Sequence, residues 1–318
     1  MTDYAKCLYW PVFLWVFRGY HIIIYVLSAI LRLKGAFSMN IINAIINLVN
    51  HPVTTVHAHY IGRNRANSMG DALEEYIKDL FCNTFDESDE NKRIEKISEV
   101  FSYLGNNSNP PDGMLRDGDA IEVKKIESAN FALALNSSYP KHKLYADSPM
   151  LSNACKTAEK WEEKDIIYAV GVVNGNSIKH LAFVYGLDYA ASDEVYSRIK
   201  QKIKFGVETI PDVEFSDTKE LGRVNKVDPL GITYLRVRGM WGIENPFTVF
   251  KYVYERDLDK EFNFMCIINE EKFNSFNNTQ DLIELCYTTE GLTITDIKIK
   301  NPDNPAQLRK AKLITYTI

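Results

Sequence analysis

Within residues 109–125, NPPDGMLRDGDAIEVKK, Asp112 follows Pro111 at the start of a candidate hairpin, and Glu122, Val123 and Lys124 fall in its second strand. Side chains alternate faces along a strand, so Glu122 and Lys124 project together while Ile121 and Val123 turn the other way. A tight turn at Asp117-Gly118 folds the first strand back and brings Asp112 beside Glu122. Two carboxylates and one lysine then share a small volume. Hard divalent cations such as Mg²⁺ take oxygen ligands, and one or two carboxylates completed by phosphate oxygens make the usual kind of Mg²⁺ site. Asp112 and Glu122 suit that role. The chemistry would be metal-assisted attack of water on a phosphate ester. Lys124 would position the water, deprotonate it if the site lowers the lysine pKa, or stabilise negative charge.

The pattern has imitators in the same chain. Pro211-Asp212 precedes Asp217-Thr218-Lys219, but the gap is too short for a hairpin and no apolar residues flank the acidic pair. Asp296-Ile297-Lys298 sits on a plausible strand without a preceding Pro-Asp, while Glu162-Glu163-Lys164 and Glu270-Glu271-Lys272 read as solvated helix ends. Upstream, NSMGDALEEYIKDLF carries Glu74 at the border of a buried helical face, where it could reach the cluster as a further metal ligand, and Glu75, which should face solvent. His57 and His59 raise a separate metal-ligand reading, but no third partner sits at a recognised spacing, so a surface or core role is expected.

The elements that must hold these groups follow from periodicity. Ile41, Ile42, Ile45, Ile46 and Val49 recur at helical spacing until His51-Pro52. Residues 66–81 and 93–104 read as two more helices, the latter with Ile94, Ile97, Val100, Phe101 and Leu104 inward. Strands are expected at 113–115, 120–126, 166–173 and 178–184, and helices at 151–162 and 192–203. The remainder looks strand-rich, at 233–237, 247–253, 262–268, 292–300 and 311–317. The mixture, without internal repeats, implies an α/β or α+β fold with a central mixed β-sheet flanked by helices.

Composition sets the outer bounds. The chain of 318 residues is 46% hydrophobic and 25% charged, ordinary globular usage that excludes disordered and collagen-like classes. Its five cysteines, Cys7, Cys82, Cys155, Cys266 and Cys286, form no CxxC pair, so a reducing cytoplasm is the expected setting. A net charge of -5 rules out a blanket of positive charge, and any contact with nucleic acid must be local. Residues 7–33 form a hydrophobic block broken by Arg18, whose longest uncharged run falls short of the roughly 20 residues of a membrane span. Translation from Met39 is the favoured reading, with 1–38 an extension without a role and 39–318 the functional body. A membrane-associated binding protein anchored by 7–33 is the competing class.

Pro111-Asp112 with Glu122-Val123-Lys124, the GDALEEYIKDLF helix and the downstream LNSSYPKHKL stretch resemble the NgoPII-type family of type II restriction endonucleases, within the PD-(D/E)xK nuclease superfamily. The resemblance runs from about Met39 to the carboxyl terminus. It implies a restriction-endonuclease-like core and Mg²⁺-dependent cleavage of double-stranded DNA at a short palindrome, GGCC, leaving 5′-phosphate ends. It also implies a companion methyltransferase that protects the host site. A palindrome is naturally read by a two-fold assembly, so a homodimer is expected. Asn136, Ser137, Ser138, Lys141 and Lys143 follow the catalytic strand directly and can reach base edges or phosphates. A second basic patch, Arg223, Lys226, Arg236 and Arg238, includes Arg236 and Arg238 on one strand face. A structure-specific repair or recombination nuclease is the alternative within the same chemistry.

Overall fold

Asn40 opens the first helix, Ile41–Asn50, its side chain accepting from the Ile42 and Asn43 amides at 2.9 and 3.4 Å. Ile41, Ile42, Ile45 and Leu48 are fully buried, each contributing about 1.5–3 kcal/mol of apolar burial. Ser68 caps the helix Met69–Cys82 in the same way, through the Asp71 amide at 3.2 Å. The computed structural model describes residues 39–318 except 53, 62–65, 67 and 107, and except the side chains of 57, 58 and 61. The expectations for residues 1–38 lie outside the described residues. Among those described, no helix is long and apolar enough to cross a membrane.

The strands are β1 (Phe101–Asn106), β2 (Asn109–Leu115), β3 (Ala120–Ile126), β4 (Leu133–Asn136), β5 (Lys143–Tyr145), β6 (Glu163–Asn174), β7 (Ser177–Tyr185), β8 (Gly222–Val224), β9 (Leu235–Val237), β10 (Trp241–Ile243), β11 (Asn263–Asn269), β12 (Thr293–Asn301) and β13 (Asn304–Thr317). The main sheet runs β1-β2-β3-β6-β7-β11-β13-β12, with β5 added beside β6. Its β3–β6 and β7–β11 pairings are parallel and the others antiparallel, so the sheet is mixed. Two small pairs, β4–β10 and β8–β9, lie outside it.

Alternation along β6 divides the core into two layers. Ile167, Ala169 and Val173 pack with the amino-terminal helices, while Ile166, Tyr168, Val170 and Val172 pack on the opposite face. Gly171 brings the helix Met69–Cys82 onto the sheet, because a Cβ there would stand 2.7 Å from Leu73 Cδ2. The helix is then tied down by charge. Asp79, fully buried, accepts from Tyr60 Oη at 2.7 Å and Arg93 Nε at 2.9 Å, and Arg93 Nη2 reaches Glu75 at 2.6 Å.

This network corrects two expectations. Glu75 does not face solvent but is paired with Arg93 and, at 2.7 Å, with Lys78. In the next helix Arg93 turns inward, 3% exposed, and Ile94 is 55% exposed. That helix spans Glu90–Val100 and stops where Phe101 enters β1, so the last third of the expected helix at 93–104 is strand. The expected strand at 247–253 is a short helix, Pro246–Val249, because Asn245 caps it and Pro246 occupies its first turn. The helix expected at 151–162 is reduced to Asn153–Thr157, and the supposedly strand-rich end contains the helices Glu270–Ser275 and Thr279–Thr288. Lys164 and Lys272 are not at solvated ends either. Lys164 is buried and donates to the Leu115 and Gly118 carbonyls at 3.2 and 2.6 Å, and Lys272 bridges Asp119 and Asp165, each at 2.7 Å.

Candidate active site

The β2–β3 hairpin pairs Met114 with Ala120 and Gly113 with Ile121, a register that puts Asp112 opposite Glu122. There the backbone ladder ends. The Asp112 carboxylate takes over from it, its Oδ2 accepting from the Val123 amide at 2.6 Å. The side chain that would do chemistry is thus fixed by the strand that presents its partners. On β3, Ile121 and Val123 enter the layer of the amino-terminal helices, and Glu122 and Lys124 face the other way, in register with Tyr168 and Val170 of β6. The expected alternation is observed. Lys124 Nζ lies 2.5 Å from Glu122 Oε1, with the two side chains 26% and 18% exposed.

Electrostatics at this point is dominated by crowded negative charge. Burial and then the nearby Asp112 charge raise the Glu122 pKa above the usual carboxylate range, although Lys124 opposes them. Burial alone would depress the Lys124 pKa, but Glu122 and Asp112 outweigh it and hold the ammonium protonated. The two carboxylates by themselves hold Lys124 as a charged donor, and a cation bound between them would act in the opposite direction. Glu74, on the helix Met69–Cys82, lines the same cleft and is pushed up to about 7 by burial and by Asp112.

The carboxylates suit a divalent cation, since their mutual repulsion is relieved by positive charge. Among the described residues no three His, Cys, Asp or Glu side chains stand together as a complete metal cage. Glu74 thus shares the field of Asp112 without completing a three-carboxylate cluster. A pair of acidic oxygens open to a cleft matches Mg²⁺, which keeps water and takes substrate phosphate oxygens as its remaining ligands.

The cleft has a volume of about 700 Å³, with Glu74, Asp112, Glu122 and Lys124 in its lining. Asn136, Ser137, Ser138, Tyr139 and Lys141 also line it, as do Arg238 and Met240. The loop is held from below by Tyr168, whose hydroxyl accepts from the Lys141 amide at 2.7 Å and donates to the Lys141 carbonyl at 3.2 Å. Asp193 gathers the side chains above, accepting from Tyr139 Oη at 3.1 Å and Lys141 Nζ at 3.5 Å, with His142 Nδ1 at 3.3 Å. Arg238 donates to Ser137 Oγ at 3.3 Å.

Two of the expected DNA contacts stand elsewhere. Lys143 is drawn into β5 beside β6, where it pairs with Glu163 at 2.6 Å and lines a separate cavity with Asp119, Asp165 and Lys272. Arg236 is held by Glu220, with its Nε at 2.8 Å, and is not in the cleft lining. The same Glu220 accepts from Arg238 Nε at 2.9 Å. Of the histidine pair, His59 Nε2 lies 3.2 Å from the Phe85 carbonyl, a structural position, and the His57 side chain lies outside the described residues. Sequence reasoning missed Tyr168; its only signal is a polar-tipped ring inside the apolar run Ile166-Ile167-Tyr168-Ala169-Val170.

The chain is 64% identical over 279 residues to "Type II restriction enzyme NgoPII" of Neisseria gonorrhoeae, covering 87% of this chain and 99% of that protein. No solved structure matches. The profile of the NgoPII restriction endonuclease family matches residues 39–300, and the chain belongs to that family.

Proposed function

We propose that this chain is a type II restriction endonuclease that hydrolyses double-stranded DNA with Mg²⁺ at a short palindrome, GGCC, leaving 5′-phosphate and 3′-hydroxyl ends. The observation that carries the reading is the seat of Asp112 on the Val123 amide, opposite a Glu122–Lys124 pair, at the floor of a cleft lined by Asn136, Ser137, Ser138 and Lys141. The 64% identity to a type II restriction enzyme supports the substrate class.

Asp112 and Glu122 would hold the Mg²⁺, which when bound supplies positive charge to the phosphate and lowers the pKa of water. Asp112 is kept in place by the Val123 amide, so it enters the reaction already oriented. Lys124 carries its proton and directs Nζ toward negative charge that grows in the transition state, while Glu122 fixes where that ammonium stands. Lys141 and Arg238, with the Asn136–Ser138 amide and hydroxyl groups, supply donors for phosphates and base edges. Two copies would act on the two strands of the palindrome, in the cytoplasm, with a companion methyltransferase marking the same site in the host.

Digestion of a plasmid with Mg²⁺ followed by end mapping tests this. Cuts confined to GGCC, and blocked when that site is methylated, are expected. Absence of cutting, or cuts determined by DNA structure and not by sequence, would overturn it.

A further inference from the structure

The helix Asp193–Glu208 is the longest among the described residues and has no buried residue. Yet it is amphipathic. Val195, Ile199 and Ile203 recur at four-residue spacing, and they are 38%, 41% and 47% exposed. A stripe of this kind normally faces a core. The chain then runs through β8 and β9, and around the intervening turn Leu230, Ile232 and Tyr234, at alternate positions, are 82%, 78% and 55% exposed. Twelve of the twenty-one exposed large apolar side chains among the described residues fall within 193–240.

At roughly 150–200 Å² for a fully exposed large side chain, these residues present about 1,000 Å². Summed along the segment, that is larger than the ~300–600 Å² of the largest single apolar patch on a typical monomer. It also reaches the ~800 Å² that each partner contributes to a stable interface. DNA is a poor occupant, because its grooves and backbone offer polar edges and phosphates and, on the apolar side, little beyond the thymine methyl.

We propose that residues 193–240 form a dimerisation arm that packs against the same arm of a second copy of this chain about a two-fold axis. Charge along the arm is self-complementary. Residues 198–204 carry Arg198, Lys200, Lys202 and Lys204 and no acid, and residues 208–217 carry four acids and no base. Antiparallel pairing about a two-fold sets the basic run of one copy against the acidic run of the other, the isologous contact that such symmetry requires. The arm also runs into the cleft, whose lining includes Arg238 and Met240 at its end. Pairing the arms therefore joins two clefts in one assembly. This step rests on the palindrome reading above.

Sedimentation equilibrium of the full chain, with plasmid cleavage measured on the same preparation, is the test. The wild type is expected to be a dimer. Ile199→Glu with Ile203→Glu, and separately Leu230→Ser with Ile232→Ser, are expected to weaken it at least about 100-fold. Thermal unfolding of the monomers should be unchanged. Hydrogen exchange of the wild type decides the matter without variants: protection of 195–203 that disappears on dilution supports the arm. Protection independent of concentration would mean that another part of the same chain covers it, and would overturn the proposal. So would a wild-type monomer, or a dimer indifferent to both double variants. A monomer that cuts at GGCC loses the interface and keeps the nuclease; a variant-sensitive dimer that cuts nothing keeps the interface and loses the nuclease.

Discussion

Lys124→Ala removes the positive charge from the most crowded part of the site. Lys124 Nζ stands 2.5 Å from Glu122 Oε1, and both side chains are largely covered, at 26% and 18% exposure. Breaking a fully buried pair costs about 3–5 kcal/mol, and breaking an exposed one about 0.2–1 kcal/mol. Partial exposure puts this pair between them, at about 1–2 kcal/mol near neutral pH, or roughly 2–6 °C in melting temperature for a chain of this size. The pH dependence has a definite sign. Burial and Asp112 already raise the Glu122 pKa, and loss of Lys124 raises it further. A carboxyl whose pKa is higher in the fold than in the unfolded chain destabilises the fold above its unfolded pKa, and that penalty fades as falling pH protonates it. The gap between wild type and variant is therefore widest at neutral and alkaline pH and closes on acidification. Mg²⁺ replaces the lost charge, so it should raise the melting temperature of the variant more than that of the wild type, while cleavage falls at least about 10²-fold. Scanning fluorimetry from about pH 5 to about pH 8, with and without Mg²⁺, reads the first effects, and plasmid digestion reads the last. Identical melting of the two proteins at the alkaline end, with no difference in the response to Mg²⁺, would refute the electrostatic reasoning. Undiminished cutting would remove Lys124 from the chemistry.

Arg93→Met leaves the fully buried Asp79 without the guanidinium 2.9 Å away, and should cost about 3–5 kcal/mol in urea unfolding. A loss below about 1 kcal/mol would show that the hydroxyls of Tyr60 and Thr84 suffice to hold Asp79. Tyr168→Phe deletes both hydrogen bonds to the Lys141 backbone, a loosening of about 1–3 kcal/mol that should raise KM for DNA and relax discrimination between the proposed GGCC site and single-mismatch sites about tenfold, with kcat on the proposed site little changed. A uniform fall in stability with discrimination intact would reduce Tyr168 to a core residue.

What the sequence discloses about this site is what local rules control. Period-two alternation and the Asp117-Gly118 turn are sufficient to put Asp112 against the strand bearing Glu122 and Lys124, and the structure has them in register. The central strands and the first two long helices are legible for the same reason. Residues whose position depends on distant partners are not. Lys141 and Lys143 look equivalent in LNSSYPKHKL, but the pairing of β5 with β6 puts Lys143 opposite Asp165, outside the cleft. Periodicity turns the apolar Ile94 inward, but Arg93 takes its place because Asp79, fourteen residues earlier, is buried and pairs with it. The acidity of the chain has a related consequence at the cleft. Cations in its lining already have carboxylate partners: Lys124 has Glu122, Lys141 has Asp193 and Arg238 has Glu220. DNA phosphates must displace or share those carboxylates, so each contact exchanges one ion pair for another and contributes less than the full attraction of a bare cation. The acids hold these long side chains in place before the substrate arrives, and part of the ordering cost that binding would otherwise carry is met in the folding of the protein.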